Sequence, residues 1–194
     1  VISRICYPGN WKLGPYGTDN GTGLGSPNGS STRPFPVAKF SELYFVAAEA
    51  AVKGASVQGG KTARDLINVI RARAGKWTFD NNGNKVKTQD NSAAMTAATP
   101  LVIDIDYILA ERSREYFGEG YRWYDLVRTQ KWTQYGNSFS IAGATNPNDW
   151  KDHSVKVVTR TISPENYLRP IPTSQLDGMQ MSAEEKAAYQ NPGY

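Results

Sequence analysis

The 194-residue sequence has very few of the residues from which metal sites and nucleophilic triads are built, with one cysteine and one histidine. A single cysteine, Cys6, excludes an internal disulfide framework and a zinc site made of cysteine thiolates. Because His153 stands alone, we expect neither a histidine zinc site nor a serine-protease-type triad in this chain. The segment 80–91 resembles a calcium loop at its start, but Lys85 and Asn91 occupy the positions that require glycine and glutamate. We therefore predict no metal ion and no cofactor.

Long apolar runs and blocks of one charge are also missing. No stretch reaches the roughly 18 apolar residues that a membrane helix needs, and the first residues, VISRICYPGNW, lack the pattern of a secretory signal. The 22 basic and 18 acidic residues are scattered along the chain, with a net charge of +4. We therefore expect no nucleic-acid partner. We also expect either a cytoplasmic protein or one whose targeting segment precedes this chain.

The composition predicts two regions of different character. Residues 1–36 are rich in Gly, Pro, Asn and Ser, which indicates a long irregular loop segment. Residues 37–194 carry the patterns of regular structure, and we interpret them as a helical region. A hydrophobic content of 39% is low for a self-sufficient core and is typical of a piece of a larger protein.

Apolar residues recur at helical spacing in four segments, which predicts four helices. They span 38–53, 63–74, 104–117 and 121–133. The first two form an αα-hairpin of about 37 residues, close to the ~34 of a tetratricopeptide unit, although the residue pattern of that repeat is missing. In the first helix the apolar face contains Phe40, Leu43 and Tyr44, and further apolar residues indicate that the helix is covered on more than one side.

Strand patterns are few. Apolar and polar residues alternate on either side of Asn82-Gly83, which predicts a β-hairpin over 77–89. Residues 134–180 are predicted to be mostly loop with one strand candidate at 156–162, and residues 182–190 to form a last helical turn. The predicted fold class is all-α: a tetratricopeptide-like helix-pair scaffold with long irregular loops and at most a small β-hairpin.

The stretch ERSREYFGEGYRWYDLVR, residues 111–128, concentrates acidic, basic and aromatic side chains. Paired carboxylates beside arginines are used by glycan-cleaving hydrolases, so Glu111 and Glu115 are candidate catalytic residues. However, this part of the sequence contains no histidine, and no aspartate pairs with Glu111 at a general-acid spacing. Catalysis therefore remains the alternative to a structural role for these charges.

Helical phase favours the structural interpretation. Arg112 falls in the middle of the apolar stripe of the third helix, so we expect it to point inward. A buried arginine requires a carboxylate partner, because removing one member of a buried pair costs about 3–5 kcal/mol. Glu115, Glu119 and Asp125 are the candidate partners.

The five tryptophans and eleven tyrosines provide the clearest indication of a binding surface. Trp11, Tyr16 and Trp150 lie in predicted loops, where an aromatic face can stack on a sugar ring or dock a partner. We take these three as candidate ligand-binding residues, with packing at the edge of the fold as the alternative. Trp123 and Trp132 fall on helical patterns and are predicted to belong to the core.

Five sequence blocks occur in a characteristic order. They are ELYFVAAEA at 42–50, ARDLINVIRARAG at 63–75, ILAERSREYFGEGYRWYDLVR at 108–128, YLRPIP at 167–172 and QNPGY at 190–194. Together they resemble the C-terminal region of the SusD/RagB family. The resemblance implies a largely helical scaffold of tetratricopeptide-like helix pairs, without catalytic activity or an obligatory cofactor.

The resemblance also implies a function. Members of that family are lipoproteins on the Gram-negative outer membrane that capture oligosaccharides, or sometimes peptides, for a SusC-like TonB-dependent transporter. The chain would then be the last third of such a protein, with the signal peptide, the lipid-bearing cysteine and the remaining N-terminal part upstream. None of the family's sugar-contacting residues can be transferred to this sequence. Two alternatives stay open: a hydrolase using Glu111 or Glu115, and a helical-repeat adaptor that binds only protein.

Overall fold

The computed structural model describes residues 36–80, 86–142 and 155–194. Within these ranges the chain is mainly helical, with two small antiparallel strand pairs, as the predicted all-α class requires. The chain passes from one compact unit to a second between Gly120 and Tyr121. The helices are α1 (Ser41–Val52), α2 (Ala63–Ala74), α3 (Ser92–Ala97), α4 (Ile105–Glu115), α5 (Tyr121–Arg128), α6 (Trp132–Gly136), α7 (Thr173–Asp177) and α8 (Ala183–Tyr189). The strands are β1 (Lys76–Asp80), β2 (Val86–Asp90), β3 (Ser138–Ala142) and β4 (Val155–Thr159).

The start of α2 shows how the sequence sets a helix boundary. Thr62 Oγ1 accepts a hydrogen bond from the Asp65 N–H (3.2 Å), and the Asp65 carboxylate accepts one from the Thr62 N–H (2.9 Å). This capping box satisfies amide groups that would otherwise lack partners in the first turn. Gly75 ends the helix, and a β-carbon there would lie 2.8 Å from the backbone of Ser92. Only glycine therefore permits the close approach of this turn to the start of α3.

The core of the first unit lies where α1 packs against α2 and α4. Its fully buried side chains include Phe45, Ala48, Ile67, Ile108 and Leu109. Burying a large apolar side chain completely stabilises the folded state by about 1.5–3 kcal/mol. The predicted αα-hairpin is therefore present and supplies much of this core.

The apolar face predicted for α1 is not the side of the helix that is fully buried. Phe40 and Leu43 are exposed, whereas Phe45 and Ala48, on another side of the helix, are fully buried. Because α1 is apolar nearly all round, the spacing of its apolar residues does not single out one phase. The contacts with α2 and α4 decide which side is buried.

The two strand pairs differ in how well the sequence predicts them. β1 and β2 form the predicted hairpin, with Lys76 opposite Asp90 and Asp80 opposite Val86. β4 corresponds to the strand candidate at 156–162 but begins one residue earlier. Its partner β3 lies in the region predicted as loop. The sequence SFSIA alternates, but only Phe139 and Ile141 carry the apolar positions, which is too short a pattern to identify a strand without its partner.

The predicted helix over 121–133 is divided in the structure. Gln130 adopts a left-handed backbone conformation with φ 57°, which ends α5 and its following turn before α6 begins. A non-glycine residue in that conformation is uncommon and cannot continue a right-handed helix. In the second unit, Trp123 and Trp132 are partly exposed and do not belong to a fully buried core.

Two of the sequence blocks meet at the end of the chain. The Gln190 side chain accepts a hydrogen bond from the Ile171 N–H (2.7 Å) and donates one to the Ile171 carbonyl (3.0 Å). The Tyr194 hydroxyl donates to the Leu168 carbonyl (3.1 Å). Gly193 has φ 89°, where a side chain would be strained. QNPGY therefore closes over YLRPIP, which gives both blocks a structural role.

Candidate ligand-binding site

The three ligand-contact residues predicted from the sequence, Trp11, Tyr16 and Trp150, lie outside the described residues. Their role stays a prediction. The described part of the first unit nevertheless contains a groove of about 480 Å³. Its lining comes from the start of α1, from α2 and from the end of α4: Lys39, Phe40, Ser41, Tyr44, Val69, Ile70, Arg73 and Glu115.

Aromatic and aliphatic side chains form one wall of this groove. The Phe40 and Tyr44 rings meet edge to face, with centroids 5.6 Å apart and an interplanar angle of 79°. This is the preferred geometry of an aromatic pair, and it holds the Phe40 ring in position. Phe40 is 72% exposed and Val69 on α2 is also exposed. The wall therefore presents apolar surface that a ligand could cover.

The rim of the groove is charged, in contrast to the apolar wall, and its charged side chains are held in ion pairs. Lys39 pairs with Glu119, and Arg73 pairs with Glu115. The Arg73 side chain is mostly exposed, so part of its guanidinium faces solvent. Ammonium, guanidinium and carboxylate groups give the rim both hydrogen-bond donors and acceptors. Apolar faces bordered by such groups suit a ligand that carries both C–H faces and hydroxyls.

Arg112 lies beside the groove, in the core of the unit. It is only 2% exposed, and its Nη1 donates a hydrogen bond to Glu42 Oε2 at 2.9 Å. The Phe45 and Tyr116 rings lie on its guanidinium, with centroids 5.4 and 5.2 Å from Cζ. Burial raises the pKa of the Tyr116 hydroxyl, so that group stays protonated here. The predicted inward position of Arg112 is confirmed.

The Glu42 partner was not predicted from the sequence. Helical phase identifies neighbours on the same element, whereas Glu42 lies on α1, seventy positions earlier. The acidic residues that were considered as partners are each held in an ion pair in the structure. These pairs are Glu115 with Arg73, Glu119 with Lys39 and Asp125 with Arg128.

Glu111 has the environment of a structural carboxylate. It is 5% exposed and pairs with Arg71 on α2 and with Arg114, whose Nη2 lies 2.6 Å from Glu111 Oε1. Burial alone would raise the pKa of Glu111, but the hydrogen bonds and charges of Arg114 and Arg71 outweigh it and lower the pKa. A general acid in glycoside hydrolysis needs a raised pKa. Glu111 is instead held as an ionised partner of two arginines.

Residues 36–80, 86–142 and 155–194 contain neither a candidate metal site nor a membrane-spanning helix. In this part of the chain, no group of three or more His, Cys, Asp or Glu residues could hold a metal ion. In the same ranges, no helix is long and apolar enough to cross a membrane.

Sequence reasoning did not identify Phe40 and Tyr44 as site residues, because both were assigned to the apolar face of a helix that was expected to be covered on more than one side. One signal was available. Phe40 immediately precedes α1, in the first turn after the proline-rich segment that ends at Pro36. An aromatic residue at a helix start has fewer neighbours on its own helix and is more easily left exposed.

A family model described as the SusD family matches residues 15–194. No curated protein matches the chain. The matched range contains the groove, the ion pairs of Glu111 and Arg112, and the C-terminal contacts between YLRPIP and QNPGY.

Proposed function

Because the chain belongs to the SusD family, we propose that it captures oligosaccharide at the cell surface and delivers it, uncleaved, to a SusC-like TonB-dependent outer-membrane transporter. Proteins of this family bind nutrients, chiefly glycans, as part of Sus systems and are generally associated with the cell surface. A lipid anchor and a further N-terminal part of the same protein belong to this proposal. The proposal includes no nucleic-acid partner.

The observation that carries the proposal is the exposed aromatic wall of the groove. A sugar ring presents C–H groups on its faces and hydroxyls at its edge. The Phe40 ring can cover such a face, while Arg73 and Glu115 at the rim can exchange hydrogen bonds with hydroxyls. Binding of this kind needs no proton transfer. It therefore agrees with Glu111 and Glu115 being engaged by arginines.

Replacing Phe40 tests the groove directly. We expect Phe40→Ala to weaken the binding of a glycan that the chain recognises by about tenfold, which corresponds to ~1.4 kcal/mol. The measurement is isothermal calorimetry against a panel of neutral oligosaccharides from plant, host and bacterial polysaccharides. Leu43→Ala is the matched control, since Leu43 is 60% exposed on the same helix and does not line the groove.

Equal affinities for the two variants would show that the groove is not the glycan site. The alternatives are separated by two further results. Release of reducing ends from the panel, lost on Glu115→Gln, would establish a hydrolase. No binding to any glycan, together with stable association with a protein partner, would favour an adaptor, and binding of peptides alone would favour peptide capture.

A further inference from the structure

Arg160 follows β4 in the second unit and is held in an unusually fixed position. Its backbone N–H donates a hydrogen bond to the Asn137 carbonyl (2.8 Å), and its side-chain Nε donates one to the Gly136 carbonyl (2.7 Å). Both acceptors lie at the end of α6, just before β3. The guanidinium is therefore fixed at its Nε edge, while its two η nitrogens are directed away from that contact.

Two aromatic rings accompany this guanidinium. The Trp132 and Phe139 centroids lie 4.8 and 5.2 Å from Arg160 Cζ. Trp132 itself cannot easily move, because it packs so closely on Gly136 that a β-carbon there would lie 2.8 Å from the indole and 2.4 Å from Ile162 Cδ1. Cation–π contacts orient an arginine but do not neutralise its charge.

The charge of Arg160 has no acidic partner within residues 36–80, 86–142 and 155–194. This distinguishes it from several arginines among the described residues, which form ion pairs. Those arginines are Arg71, Arg73, Arg112, Arg114 and Arg128. Arg160 is also exposed to solvent. It therefore combines a fixed position, apolar surroundings and an available positive charge.

We propose that Arg160 binds the anionic group, a carboxylate or a sulfate, of an acidic sugar. The two η nitrogens offer parallel N–H donors at a spacing that matches two oxygens of such a group. Because the side chain is already ordered, little conformational entropy is lost on binding. The exposed Phe139 ring supplies an apolar surface next to the charge. This inference rests on the proposed function, since it names the class of glycan that the protein takes.

The test compares an acidic glycan with its neutral methyl ester and adds a sulfated probe built of other sugars. Calorimetry of the 194-residue chain would use tetragalacturonate, its fully methyl-esterified form and a sulfated carrageenan tetrasaccharide. We expect at least one anionic probe to bind about tenfold more tightly than the ester, and Arg160→Gln to remove this preference. A preference for the galacturonate identifies a carboxylate ligand, and one for the carrageenan tetrasaccharide a sulfate ligand.

Arg122→Gln is the matched control. Arg122 is an exposed arginine of the same unit that lies over the Tyr135 ring, and its replacement removes the same charge. We expect this variant to keep the anionic preference. Arg160→Lys provides a second variant should Arg160→Gln fold poorly. It retains the charge but lacks the pair of η donors, so it is expected to lose most of the preference at an unchanged melting temperature.

The outcomes separate this inference from the proposed function. An anionic preference that survives both Arg160 replacements overturns the role of Arg160. Binding of neutral glycans with no anionic preference overturns the inference and leaves the proposed function standing. Failure to bind any neutral or anionic glycan overturns both.

Discussion

At the scale of single residues, Arg112 shows how a charge is accommodated in the core. Moving a guanidinium out of water is costly unless it is paired and hydrogen-bonded. Here Glu42 supplies the opposite charge, and the Phe45 and Tyr116 rings cover the guanidinium with negative π faces. The interaction joins α1 to α4. It holds these two helices in register.

We predict that Arg112→Ala lowers the free energy of unfolding by about 3–5 kcal/mol. The replacement leaves Glu42 without this partner and opens a cavity between two rings. Urea unfolding followed by circular dichroism gives the free energy, provided that the m-value is unchanged.

The control for this prediction is Arg114→Ala on the same helix. The Arg114 side chain is 58% exposed, and Glu111 keeps its ion pair with Arg71 when Arg114 is removed, so we expect a smaller loss of stability. If Arg112→Ala costs no more than Arg114→Ala, Arg112 does not stabilise the core. The charged residues of the stretch 111–128 would then again be candidates for a functional site.

The sequence predicted the burial of Arg112 because α4 is amphipathic and its period can be read directly. It could not predict Glu42 as the partner, since a pair across seventy positions depends on how α1 packs. The same limit applies to the groove. Phe40 and Arg73 come together only through the packing of α1 on α2.

At the scale of elements, the close packing of α6 against the chain after β4 supports a second stability prediction. Gly136→Ala should destabilise the protein by about 1–3 kcal/mol, the usual cost of overpacking. The added methyl group would lie 2.4 Å from Ile162 Cδ1 and 2.8 Å from the Trp132 ring. Thermal unfolding followed by circular dichroism measures the effect.

Gly178→Ala is the matched control in the same unit. Gly178 ends α7 with φ −73°, and the nearest atoms to its added methyl group are 3.5 Å away. Alanine fits there, and we expect a neutral or slightly stabilising change, since the unfolded chain loses freedom. Equal destabilisation by both replacements would mean that the α6 contact is not tightly packed.

The helices that were predicted well have their sequence signals within or directly beside their own residues. α2 and α4 have clear apolar periods and side-chain caps at Thr62 and Asp104. α3 was not predicted, because its six residues are too short to show a period. β3 was missed because its pairing with β4 crosses a long connection. In both cases tertiary contacts decide the structure.

At the scale of the whole molecule, several carboxylates make stability depend on pH in the same direction. Their pKa values are lowered: hydrogen bonds from neighbouring groups do this at exposed positions, and arginines overcome the effect of burial at Glu111. The exposed carboxylates are Asp65, Asp90 and Glu165. A lowered folded-state pKa gives stability that is present above the ordinary pKa and is lost as the pH falls through the folded value.

The loss of stability at alkaline pH has the opposite cause. Burial raises the pKa of Tyr107 and Tyr116 above the ordinary 10.0, so the folded protein holds these protons more tightly than the unfolded chain. The stability associated with them is complete below pH 10.0 and decreases as the pH rises through the folded values. Stability should therefore be greatest at intermediate pH.

Glu111→Gln isolates the contribution of the buried carboxylate to the loss of stability at acid pH. We expect the variant to be less stable than the unmodified chain at neutral pH, because Arg71 and Arg114 lose their ionised partner. The difference should shrink as the pH falls from the ordinary Glu pKa of 4.5 through the lower folded value, since Glu111 is then protonated first in the unfolded chain and afterwards in the folded protein. Free energies of unfolding in urea, measured from about pH 7 to about pH 3, give this difference curve.

The exposed carboxylates titrate equally in the unmodified chain and in Glu111→Gln, so their contribution cancels in the difference. Glu184→Gln on α8 is the matched control, because Glu184 is exposed and its replacement removes the same charge. Its difference from the unmodified chain should be small at every pH. A Glu111→Gln difference that stays constant from neutral to acid pH would mean that the Glu111 charge does not stabilise the fold. A general-acid role for this residue would then again have to be considered.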